Sequence, residues 1–204
     1  MLPPTLSHLA IVLGLIYALP HVYGVIKPAS FGVTMRKFPR YTPIGYLLTL
    51  AATAWFLYYL SLESVSDFTS FKPALYALFA GVGVGTCLFV RDYLPVRGLA
   101  ALMLLAGKLM VDTGRPHLGE TPWVLVIQLL AYAWIIVGMW LTISPWRLRD
   151  AINWVTANEQ RTRLVSGVRL GFGMFMVVLG LTVFKSGEGS KSGQASTAQL
   201  NSSK

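Results

Sequence analysis

The chain has 204 residues, of which 54% are hydrophobic and only 12% charged, and its mean hydropathy is +0.59, a balance that excludes an ordinary water-soluble domain. Six Trp, nine Tyr and ten Phe add aromatic bulk, and the apolar residues fall in long runs, as in a polytopic membrane protein. Seventeen Lys and Arg against eight Asp and Glu leave a formal charge of +9, which in a membrane protein reads as a topology signal and not as a nucleic-acid footprint.

The first residues carry no basic n-region, and no A-x-A cleavage pattern follows the first apolar run, so residues 6–26 are expected to stay as a membrane span. Five further spans are expected at residues 44–62, 74–90, 93–111, 122–143 and 164–184. Each approaches the roughly 20 residues that cross about 30 Å of hydrocarbon. The fourth contains Arg97 and Lys108, whose long stems let their charges reach opposite head-group layers. Parity supports counting it. With six spans, one side of the membrane receives Lys27, Arg36, Lys37 and Arg40, then Arg91 and Arg97, then Arg147, Arg149, Arg161 and Arg163. The other side receives Glu63, Asp67, Asp112 and Glu120. The positive-inside rule then places the basic loops in the cytoplasm and both termini outside, in the inner (plasma) membrane.

Within the fifth loop, Ser144 and Pro145 supply a helix start, and Leu148, Ala151, Ile152 and Val155 follow at helical spacing. A short interfacial helix is expected there, with Trp146 and Trp154 at head-group level and Arg147, Arg149 and Asp150 towards water. Residues 186–204 are rich in Ser, Gly and Lys and have too little apolar surface to fold alone. The expected organisation is therefore all-α: one bundle of six transmembrane helices over residues 1–185, with an interfacial helix before the last span, and a flexible tail over 186–204.

Chemistry-bearing residues are few. Cys87 is the single cysteine and lies in an apolar run, so neither a disulfide within the chain nor a cysteine metal site can form. The densest polar cluster is Lys108, Asp112, Arg115, His117 and Glu120. Lys108 and Asp112, four apart, share a helix face. Ionisable residues near a span end suit a polar mouth for a proton, an ion or an anionic head group, or equally a local ion pair with a polar turn at Gly114 and Pro116. Lys108, six intervening residues, then Arg115 and Pro116 resembles the first signature of the membrane-bound type-2 phosphatidic acid phosphatase family. There the lysine and arginine bind phosphate oxygens at the extracytoplasmic face of a six-helix enzyme. The family's Pro-Ser-Gly-His segment and its later Ser-Arg segment with a histidine nucleophile do not follow here, so a phospho-histidine step has no carrier. What the resemblance leaves is noncatalytic phosphate binding. Asp112, Thr113 and Gly114 spell the tripeptide of aspartic proteases, but that chemistry needs two such carboxylates and the chain has one copy.

Of the three histidines, His8 and His117 fall at similar depth on this topology and form the one pairing that could offer two axial ligands to a haem or pigment. Their interfacial positions suit hydrated side chains equally, and His21, just after Pro20, is placed to bond a carbonyl that the proline releases. No cofactor and no metal are expected. Gly81 with Gly85 and Gly167 with Gly171 have the small-xxx-small spacing that lets helix backbones approach in lipid, within this chain or against another. Lys27, Arg36, Lys37 and Arg40, interleaved with Phe31, Phe38 and Tyr41, suit an anionic head-group layer. The spans lack acid–base pairs and metal-ligand clusters. The sequence thus points to a noncatalytic accessory or scaffold subunit of a membrane complex. Its expected partners are the bilayer and other membrane subunits or itself, not nucleic acid. The alternative is a small transporter or a lipid- or anion-handling protein whose site is the 108–120 cluster.

Overall fold

The computed structural model describes residues 5–62 and 71–185, and over them the chain is all-helical. Eight α-helices run in order: α1 Leu6–Ile26, α2 Pro28–Lys37, α3 Thr42–Leu62, α4 Lys72–Phe89, α5 Leu94–Gly114, α6 Val124–Ile143, α7 Trp146–Val155 and α8 Glu159–Leu179. Six of them, counted with the short turns that extend α5 and α8, are 18 to 26 residues long and apolar enough to cross a membrane. At 1.5 Å per residue they span roughly 27 to 39 Å, so the protein is a multi-pass integral membrane protein. The expected tail at 186–204, and Glu63 and Asp67, lie outside the described residues.

Most span boundaries lie within three residues of the sequence reading, and two features differ more. The last helix begins at Glu159, not at 164, because Glu, Gln and Arg favour helix as strongly as apolar residues do and hydropathy marks membrane entry, not helix start. The first basic loop contains α2, with Pro28 at its first position and Arg36 and Lys37 in its last turn, where the helix dipole favours cations. A 3-10 turn, Phe38–Arg40, follows it.

The helices fall into two compact units. The first takes residues 1–29, 110–128 and 159–204, so far as they are described. Its spine is α1 against α8. Thr5 caps α1 by accepting from the His8 backbone N–H at 3.4 Å. On α8 the buried face is Thr162, Ser166, Gly173, Met176 and Leu179, running into a π-helical turn, Gly180–Phe184. A Cβ on Gly173 would lie 2.7 Å from the Ala18 nitrogen and 2.7 Å from the Gly14 carbonyl oxygen. A Cβ on Gly14 would meet the Gly173 carbonyl oxygen at 2.6 Å. The two backbones therefore touch. Small residues allow this in lipid, where dispersion between close backbones replaces the hydrophobic effect as the driving force. The buried Ser7 hydroxyl seals the seam by donating to the Gly180 carbonyl at 2.8 Å, and Tyr17 meets Phe172 edge-on at 5.4 Å.

The second unit takes residues 30–109 and 129–158, again so far as they are described. Here too glycines mark several helix crossings. Gly45 and Gly98 seat α3 against α5, next to Leu94 and Thr49 respectively; Gly83 seats α4 on Thr53 of α3; and Gly138 brings α6 onto the Ala100 carbonyl of α5. Val96, Ala100 and Leu141 form a buried cluster against which Tyr93, Met103 and Leu148 pack. Leu148 belongs to α7, whose half-buried face is Leu148, Ile152 and Val155, with Trp146 and Trp154 exposed. Ala151, read from the sequence as part of the apolar face, is exposed. Tyr93 turns the chain into α5 at a φ of 55°, a left-handed conformation that costs a non-glycine residue about 1 kcal/mol. Its hydroxyl is held by Arg149 Nη1 at 3.1 Å.

A long-range tie in this unit joins α2 to α7. Arg36 Nε donates to Thr156 Oγ1 at 2.8 Å, and Nη2 donates to the Thr156 carbonyl. A planar guanidinium reaches both acceptors at once and a lysine ammonium does not. Arg36→Ala and Arg36→Lys should therefore both cost about 1 kcal/mol. The readout is faster proteolytic cleavage between residues 27 and 41 in detergent; unchanged cleavage would remove the tie from the account.

Candidate functional site

The polar cluster read from the sequence straddles the end of α5. Lys108, exposed on that helix, holds its ammonium 5.1 Å from the centre of the Tyr59 ring, a cation–π contact within the second unit. The other four members belong to the first unit. Asp112 is exposed on the last turns of α5. Arg115 and His117 form a 3-10 turn directly after it. Glu120 is exposed beyond, its backbone N–H donating to the His117 carbonyl at 3.1 Å. His117 keeps Nδ1 3.2 Å from the Thr113 carbonyl oxygen. Asp112, Thr113 and Gly114 close an α-helix. Beside them, buried Gln128 donates to the Val111 carbonyl at 3.3 Å, and Gly114 leaves the room its amide needs. This ties the start of α6 to the end of α5 and fixes the turn between them. Asp112, Arg115 and Glu120 thus place exposed charges of both signs around one helix end.

Each remaining histidine is engaged on its own turn. His8 Nδ1 meets the Thr5 hydroxyl. His21 Nδ1 lies 2.7 Å from the Tyr17 carbonyl, one turn back, and not at the carbonyl that Pro20 leaves unbonded. With Nδ1 donating there, Nε2 is the acceptor for Arg169 Nη1 at 3.4 Å. Within this unit Arg169 joins α8 to α1 through His21. Among the described residues no three His, Cys, Asp or Glu gather as a metal site.

In the basic segment, Lys27 follows α1 and is exposed, its backbone N–H donating to the Tyr23 carbonyl at 2.8 Å. Arg36 is committed to Thr156, whereas Lys37 and Arg40 are exposed. In α7, Arg149 pairs with Asp150 at 2.9 Å. That bond, with Tyr93 adding to it, holds the guanidinium above its ordinary pKa.

The four glycines singled out by spacing have a common property. Among the described residues, a Cβ on Gly81, Gly85, Gly167 or Gly171 would meet nothing within 4 Å. The close approaches inside the chain are made by other glycines, Gly83 on α4 and Gly173 and Gly180 beside α1. Periodicity explains the split on α4. Gly81 and Gly85 lie one turn apart on one face, and Gly83, two residues on, points to the opposite side. On α8, Leu164, Val168, Met174 and Val178 are more than half exposed and share the outer face with Gly167 and Gly171.

Sequence reasoning did not identify Thr49, nor the burial of Arg97. Thr49 Oγ1 and Arg97 Nε are buried without a hydrogen-bond partner among the described residues. Both flank the contact at Gly98, where a Cβ would lie 2.7 Å from the Thr49 nitrogen. The available signal was Arg97 inside an apolar run, read there as a snorkelling side chain. Compared with protein-family models, with curated proteins and with solved structures, the chain finds no match in any of the three.

Proposed function

We propose that this chain is a noncatalytic accessory or scaffold subunit of a larger membrane assembly, with its basic loops on the cytoplasmic side of the inner (plasma) membrane and both termini outside. The observation that carries the reading is the pair of unfilled glycine faces. Glycine in a helix costs about 1 kcal/mol relative to alanine, and at Gly81, Gly85, Gly167 and Gly171 nothing among the described residues uses the space that this cost opens. A helix of another subunit seated on either face would use it, as Gly173 is used by α1. Mild-detergent purification from native membranes, through a tag after Lys204, tests the proposal. A stoichiometric membrane partner is expected, and a chain that elutes alone counts against it.

The second reading, a small transporter or a lipid- or anion-handling protein, is favoured by the exposure of Asp112, Arg115 and Glu120 around one helix end. Under the subunit reading, Asp112→Asn and Arg115→Ala leave the cellular phenotype unchanged at normal membrane abundance. Loss of that phenotype, with partner capture intact, would move the function to this cluster.

A further inference from the structure

The end of α2, the 3-10 turn after it and the first turn of α3 border an open-sided cavity of about 290 Å3, lined by Thr34, Met35, Lys37, Phe38, Tyr41 and Ile44. Lys37 is the one charged lining residue, and the Thr34 hydroxyl is already spent on the Ser30 carbonyl at 3.0 Å. The volume is near the roughly 300 Å3 lower end of small-molecule sites. That is room for a length of one hydrocarbon chain and too little for a whole phospholipid.

The cavity's place in the sequence puts it at the membrane surface. Lys27 alone separates α2 from the end of span α1, and Ile44 is in the first turn of span α3. Tyr41, 52% exposed, has the amphipathic ring characteristic of head-group level. The charge that this stretch of chain brings to the cavity has one sign. No Asp or Glu occurs in the first 62 residues. Arg36 is bound to Thr156, which leaves Lys37 in the wall and Arg40 beside it, both exposed. A soluble anion would find no use for the apolar wall, and a neutral hydrocarbon none for the two cations.

We propose that this cavity seats part of an acyl chain of an anionic bilayer phospholipid, with the phosphate met by Lys37 and Arg40. The site is independent of the subunit reading, since it is built from one continuous stretch of this chain. The full-length protein, purified in mild detergent and supplied with equimolar phosphatidylglycerol and phosphatidylcholine of the same acyl chains, provides the test by native mass spectrometry. Basic residues at an anionic surface each contribute about fivefold to binding. Wild type should therefore retain phosphatidylglycerol roughly tenfold or more over phosphatidylcholine. Lys37→Gln with Arg40→Gln should abolish that preference. Ile44→Trp, which fills the cavity, should release the lipid with helical content and elution volume unchanged. Thr34→Trp fills it from an exposed position and gives the same readout if the Ile44 variant does not fold. Equal retention of the two lipids by wild type overturns the proposal, as does a preference that survives the charge variant. A preference that survives Thr34→Trp reduces the site to surface adsorption and overturns the acyl seat.

Discussion

Gly173→Ala should be among the most damaging single-methyl additions in the protein. The new carbon would lie 2.7 Å from two backbone atoms of α1, the Ala18 nitrogen and the Gly14 oxygen, and backbone in a helix does not step aside as a flexible side chain does. Overpacking a tight contact costs about 1–3 kcal/mol and more where no rotamer relieves it. At about 3 kcal/mol the melting temperature of a chain this size falls by roughly 10 °C. Gly173→Ile should separate α1 from α8 altogether, releasing the Ser7 bond to Gly180 and the Arg169 contact with His21. Gly171→Ala, two residues away, faces open space and should raise stability by up to about 1 kcal/mol through helix propensity. Thermal unfolding in detergent, followed by size exclusion, reads both. Equal behaviour of the two alanine variants would remove the α1–α8 seam from the account.

The same two helices mark how far the sequence could be read. Spans are legible because lipid forces every backbone group into helix and every long face towards hydrocarbon, so composition alone locates them. Which glycine touches which neighbour is not a property of one helix. Spacing four picks Gly167 and Gly171 on α8. The pair that meets α1 is seven apart, Gly173 and Gly180, and only when set beside Ser7 and Gly14, also seven apart, does the match emerge. Helix α2 was missed because it is short and polar, with Pro28 as its one clear start signal. In the polar cluster the residue types were legible and their engagements were not. Lys108 turns to Tyr59, 49 positions earlier in the numbering, and Arg36 to Thr156, 120 residues away. Such pairings are decided by how helices cross, which hydropathy does not encode.

The second large effect concerns assembly and not folding. Gly167→Ile with Gly171→Ile, and separately Gly81→Ile with Gly85→Ile, place side chains where a Cβ has no neighbour within 4 Å among the described residues, so the monomer's helical content should hold and its stability stay within about 1 kcal/mol. If another helix packs on these faces, the same side chains hold its backbone away and association falls steeply, because dispersion between touching backbones is lost within an ångström or two. The decisive measurement is quantitative mass spectrometry of what co-purifies with wild type and with these two double variants from native membranes. The subunit account predicts a stoichiometric partner with wild type, reduced at least tenfold in one or both variants at unchanged abundance and stability. A wild-type chain that purifies alone, or a partner retained in full by both variants, would contradict it.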